Sequence, residues 1–203
     1  MLDEGYIKFQ AHWTQKNSIT DRDITELNHW RQEMYHLGLI GAYENGIGYG
    51  NISQRIGTSN QFYISGSKTG NFEQLEASHY SIMKSVEVDR NFLTCEGMTI
   101  ASSESMSHAV IYEECDWVKG VIHVHNLNLW KKILHKVPTT AKGIPYGSPE
   151  MAYSIIDLLQ NTDVQEQGIF VMEGHEEGIF AFGEDLESAA AVILALCVLF
   201  LHN

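Results

Sequence analysis

Two histidines flank a valine in "VIHVHN", residues 121 to 126. A β-strand turns successive side chains to opposite faces, so His123 and His125 point to one side together with Val121, and Val124 points to the other. Two imidazoles on one face of an apolar strand each need a polar partner, and a single metal ion satisfies both. Hydrogen-bonded core or surface histidines satisfy the same pattern, and a metal needs a third ligand from elsewhere. The other histidines are His12, His29, His36, His79, His108, His135, His175 and His202. His175 stands out, because Gly174 precedes it and it falls in a tight turn between two apolar segments. A hairpin of the same sheet can bring that turn beside the end of the 121–125 strand. Three imidazoles leave the fourth position of a zinc ion open, which is the arrangement of a catalytic site. A solvated turn histidine is the other reading.

"ASSES", residues 101 to 105, offers a second kind of chemistry. Ser102 and Ser103 fall where a helix is expected to begin, and their hydroxyls with the exposed N–H groups of a helix start can hold a phosphate. Glu104 stands at the same mouth as a proton carrier. Helix capping accounts for the two serines equally well. His108, one turn further on, reads as a packed helix histidine rather than a ligand. Two glycine-rich turns, "GIGYGNIS" and "ISGSKTG", supply backbone N–H groups and small hydroxyls suited to an anion, although each also reads as an ordinary turn. Neither has the spacing of a P-loop.

These side chains need elements to position them. Ile24, Leu27, Trp30, Met34 and Leu37 recur at helical spacing, with Asp21 or Asp23 to cap the start and Gly38 the end. "NISQRI" and "QFYIS" read as strands, and "SHYSIMKSVE" is open between a short strand and a turn. "SESMSHAVIYEEC" reads as a helix capped by Ser102 or Ser103, and "SPEMAYSIIDLLQ" as another with Pro149 in its first turn. "QGIFVMEGHEEGIFAFG" reads as strand, turn, strand, and Asp185 or Ser188 starts a last helix. Strands and helices interleave, yet neighbouring strands look like hairpins. The pattern predicts a mixed or mainly antiparallel sheet with helices against it.

The 203 residues suffice for one sizeable domain, and 44% apolar content without low-complexity tracts argues against disorder. Asp and Glu number 26 against 13 Lys and Arg, an excess that suits neither nonspecific nucleic-acid binding nor an anionic membrane. A local positive pocket for an anionic substrate remains compatible with it. Cys95, Cys115 and Cys197 are odd in number and widely spaced, as expected of reduced core thiols in a cytoplasmic protein. "MLDEGYIKFQ" lacks the apolar region of a signal peptide. The 13-residue run "AAAVILALCVLFL" is short for a membrane span and fits a buried C-terminal helix.

"GNIS", "ISGSKTG", "SSE" with His108 and Tyr112 behind it, "HVH" and "GH" occur in the order and approximate spacing of the class II aldolase/adducin family. The chain resembles that family from "LNHW" to the last helix. The resemblance implies a three-layer α/β/α sandwich with a central mixed, mainly antiparallel sheet, residues 1–203 forming one domain. It further implies a homotetramer with active sites near subunit interfaces. By position it implies His123, His125 and His175 as ligands of zinc, or of another divalent metal, and Glu104 as the acid/base carboxylate. Gly50, Asn51, Ser102 and Ser103, with Ser67, Thr69 and Gly70 of "SGSKTG", match its phosphate pocket.

Several members cleave or rearrange sugar phosphates through a zinc-bound enediolate, so the implied activity is a lyase acting on a small ketose 1-phosphate. A dehydratase of methylthioribulose phosphate carries glutamate at the Glu104 position too. The pentulose-phosphate 4-epimerases carry aspartate there, which counts against an epimerase. A non-enzymatic module like the adducin head lacks the metal ligands that this chain keeps. The sequence departs from the family in two places. "ISGSKTG" holds an extra residue in the anion loop, and no tyrosine follows Tyr153 to match a C-terminal proton donor of related aldolases, which leaves Tyr146 as a substitute.

Overall fold

A computed structural model describes residues 7–201. Its elements run β1 Gln10–Thr14, α1 Thr25–His36, β2 Gly41–Ala42, β3 Gly48–Tyr49, β4 Asn51–Arg55, β5 Phe62–Ser65, β6 Tyr80–Glu87, β7 Phe92–Gly97, α2 Ser105–Glu114, β8 Gly120–His125, α3 Leu127–Ile133, α4 Pro149–Asn161, α5 Val164–Gln167, β9 Ile169–Val171, β10 Gly178–Gly183 and α6 Leu186–Leu201. Eight strands form one sheet in the order β1-β7-β6-β5-β4-β8-β10-β9, and β2 pairs with β3 in a small ribbon. The β1–β7 pair is parallel and every other pair in the large sheet is antiparallel. This is the expected mixed, mainly antiparallel sheet.

The period-two pattern of β8 sorts its residues between two cores. Val121 packs with residues of α2 and α4 on one face. Ile122 and Val124 pack with residues of α1, α3 and α6 on the other. Helices therefore cover both faces, giving three layers. All six residues of β8 are buried, because it lies between β4 and β10 near the middle of the sheet. His123 and His125 share the face of Val121, so two imidazoles project into the layer beneath α2.

Helix starts differ from the sequence reading in instructive ways. Helix α1 has Ile24 at its N-cap and no side-chain cap. Asp23 instead accepts from the backbone and hydroxyl of Thr20, and Asp21 accepts from the Ala77 N–H. Leu37 lies outside the buried stripe of that helix, while Arg31 lies inside it. Ser102 and Ser103 do not cap α2. They form a turn in which Ser102 O accepts from the Ser105 hydroxyl, and Glu104 occupies the N-cap position. Ser148 caps α4 by accepting from Met151 N–H, with Pro149 behind it, and Asp185 accepts from Ser188 N–H at the start of α6. The stretch "SHYSIMKSVE" completes a single 3-10 turn, Ala77–His79, and continues as β6. No helix of the described residues is long and apolar enough to cross a membrane.

Candidate active site

The hairpin turn after β9 carries His175 to the end of β8. Among the described residues, His123, His125 and His175 are the one group of three metal-ligating side chains brought together. Nε2 of His125 lies 3.1 Å from Nε2 of His123 and 3.1 Å from Nε2 of His175. Two nitrogens on one tetrahedral zinc, each at ~2.0–2.1 Å, are about 3.3 Å apart, so these atoms suit a shared divalent ion. All three imidazoles are buried. Burial first, then the neighbouring His125 and His175, keeps His123 neutral by pushing its pKa well down, as a metal ligand requires.

The other ring nitrogens of His123 and His125 are hydrogen-bonded and that of His175 faces a carboxylate, which orients Nε2 inward. His123 Nδ1–H donates to Ile179 O at 3.2 Å, and the ring stacks on Phe180. His125 Nδ1 lies 3.0 Å from the Tyr43 hydroxyl, which donates to Glu177 Oε2 at 2.8 Å. The His125 contact foremost, and that of Tyr43, hold the Glu177 carboxyl below the usual carboxylate range. His175 Nδ1 lies 3.4 Å from Glu104 Oε1. Three imidazole nitrogens with oriented backs form a set that fits a zinc-like ion. Tyr43 and Glu177 escaped the sequence reading. Glu177 lies two residues beyond His175 in the same turn, which was the one available signal, and its φ of 76° marks a strained backbone.

A narrow cleft opens beside this cluster. His123 and Glu104 line it together with Gly50, Asn51, Ser67, Thr69, Gly70, Ser102 and Ser103. The residues matched to a phosphate pocket thus share one wall system with a histidine of the cluster and the candidate acid/base. Glu104 is buried and its Oε2 accepts from the Ser107 hydroxyl at 3.1 Å. Asn51 is in register with His123 across the β4–β8 ladder, so its side chain lies next to that imidazole. Gly50 has φ of 71°, and a Cβ there would stand 3.0 Å from His123 O, so only glycine lets β3 turn into β4 this close to β8.

The loop after β5 is locked from behind. Thr69 directs its hydroxyl to Gly66 O at 2.8 Å. Arg31 of α1 donates to Thr69 O and Gly70 O at 3.2 Å each and to Glu73 O at 2.7 Å. Lys68, at φ of 63°, is exposed on the cleft rim. Tyr146 is buried with its ring 4.5 Å from that of His175, and Lys8 lies over its face.

Sandwich and cluster together define a class of protein, and the chain's sequence places it within that class. The description of the class II aldolase and adducin N-terminal domain matches residues 26–200, and the chain belongs to this family. Solved structures of similar fold include L-fuculose 1-phosphate aldolase, with a TM-score of 0.66 and 16% identity over 89% of this chain and 86% of that one. A sugar-phosphate aldolase from Thermotoga maritima gives 0.63 and 17%, over 85% and 89%. YgbL from Klebsiella pneumoniae, described as an aldolase, epimerase or decarboxylase, gives 0.63 and 16%, over 88% and 87%. At these identities the likeness is one of fold. No curated protein matches the sequence.

Proposed function

We propose that the protein is a metal-dependent aldolase of the class II type, a lyase that cleaves a small ketose 1-phosphate. One observation carries the reading. The three-histidine cluster and a cleft lined by Asn51, Ser102, Ser103 and the 66–70 loop meet at Glu104. Zinc is the metal we propose. A divalent cation held by His123, His125 and His175 would act as a Lewis acid toward the substrate carbonyl and take up the negative charge released when the carbon–carbon bond breaks.

The chain's own groups would do the rest. The amide of Asn51, the hydroxyls of Ser102 and Ser103 and the backbone of the 66–70 loop would hold the phosphate, with Lys68 adding charge at the rim. Fixing the phosphate places the reacting carbons beside Glu104. Glu104 Oε1, on the side facing His175, would take and return the proton at the carbon next to the carbonyl. Ser107 holds Oε2 and so keeps Oε1 directed toward the cluster.

Incubating the metal-loaded protein with a panel of ketose 1-phosphates and assaying release of dihydroxyacetone phosphate tests the reaction. An inert panel, or a product set showing loss of water or inversion at a carbon, would replace the lyase with another activity of the same family. Elemental analysis should find about one divalent ion per chain, and a fully active metal-free preparation would end the metal reading.

A further inference from the structure

His108 is completely buried, and the proposed chemistry gives it no task. Its ring is spanned by two short hydrogen bonds, Nε2 to Asn51 Oδ1 at 2.6 Å and Nδ1 to Ser53 Oγ at 2.6 Å. Ser53 Oγ in turn lies 2.9 Å from the Tyr112 hydroxyl. Phe62 and Phe180 pack around the ring, so water does not substitute for these partners. We infer that His108 is a positioning residue, which fixes Asn51 as a hydrogen-bond donor into the cleft at the end of a one-way chain from Tyr112 through Ser53.

The direction follows from counting protons. A neutral imidazole carries one N–H and one lone pair, and burial keeps this ring neutral. With the proton on Nε2, Tyr112 donates to Ser53, Ser53 donates to Nδ1, and Nε2–H donates to the carbonyl oxygen of Asn51. Every donor then has a near acceptor. With the proton on Nδ1, the Ser53 and Tyr112 bonds reverse, two acceptors, Nε2 and Asn51 Oδ1, face each other unless the amide turns over, and the chain must end on Lys119 O, 3.5 Å from the Tyr112 hydroxyl, which is too long for a good O–H···O bond. The first arrangement therefore prevails. It commits Asn51 Oδ1 to His108 and leaves both amide hydrogens for the cleft. The Asn51 amide thereby offers the cleft donors and no acceptor, so at that point it favours an anionic or carbonyl oxygen over a group that must donate. Ser53 and Asn51 lie two apart on β4, on the same face, and His108 and Tyr112 lie four apart on α2, so one strand and one helix build the chain at a single contact.

The identity of the ligand as a phosphate rests on the proposed function, and the direction of the chain does not. Nitrogen-15 NMR of the full, zinc-loaded chain labelled at histidine reads which nitrogen of His108 carries the proton. Nε2 is expected, and a proton on Nδ1 overturns the inference. Calorimetry with inorganic phosphate supplies the second arm. Gln puts a side-chain N–H near the place of Nε2, whereas Asn is too short to reach. His108→Gln should bind phosphate within a few fold of the unaltered protein, and His108→Asn and Asn51→Asp should bind it roughly tenfold to a hundredfold more weakly, all with unchanged metal content. Equal binding by Asn51→Asp and the unaltered protein, or by the two His108 variants, overturns it. Should the unaltered protein bind no phosphate, the phosphate reading fails, and the proton position on His108 still decides this inference.

Discussion

Glu104 and Glu177 approach the histidine cluster from two sides and are suited to different tasks. Glu104 lies against His175 and lines the cleft, whereas Glu177 reaches His125 from behind, through Tyr43. Glu104→Gln keeps an oxygen for His175 and removes the transferable proton. It should retain metal and phosphate binding while turnover falls about a hundredfold to ten-thousandfold. Loss of the metal, or normal turnover, would remove Glu104 from the acid/base role. Tyr43→Phe takes away the group beside His125 Nδ1, so the affinity for zinc, measured by competition with a chelator, should weaken roughly tenfold to a hundredfold. An unchanged affinity would make Tyr43 a packing residue only. The sequence made the HxH pair legible because the two-residue period of a strand is a local rule. Tyr43 stands 82 residues from His125 and 134 from Glu177, and nothing local announces such a contact.

Helix α1 shows how much an element's sequence says and where it stops. Apolar spacing located the helix and Gly38, at φ of 69°, its exit. The same spacing could not reveal that Arg31 joins the buried stripe, because its guanidinium is stabilised by carbonyls of a loop about forty residues away in sequence. That bond set makes α1 the brace of the candidate anion loop. Arg31→Met fills similar volume and leaves three carbonyls of residues 69, 70 and 73 without this donor. Stability measured by urea unfolding should fall by about 2–4 kcal/mol, and inorganic phosphate should bind more weakly. A variant as stable as the parent would show that the loop holds itself. Strand β1 was not legible for the opposite reason. It is a mostly exposed edge strand, and its parallel pairing with β7 leaves neither an alternating nor a continuous apolar pattern to read.

Two cores, one on each face of the sheet, hold the whole molecule together, and the candidate site lies where the α2-side core gives way to polar groups. Burying His108 in that core links folding to pH. Burial pushes its pKa down to about 3 from the ordinary value near 6.5. Below pH 6.5 the unfolded chain protonates this imidazole while the folded chain keeps it neutral until about pH 3, so acidification through that window favours unfolding. Above pH 6.5 both states are neutral there and His108 contributes no pH dependence. Between pH 7.5 and 5 the loss from this one group is about 2 kcal/mol, taking 1.36 kcal/mol per unit over roughly 1.5 units. The many carboxylates and the other histidines titrate as well, so the contribution is read as a difference. His108→Gln keeps a donor toward Asn51 and cannot be protonated. Its unfolding free energy should decline less than that of the unaltered protein over the same pH interval, by that amount. Parallel pH profiles for the two proteins would mean that the folded state admits a charged imidazole at position 108, and the neutral relay to Asn51 would then fail with it.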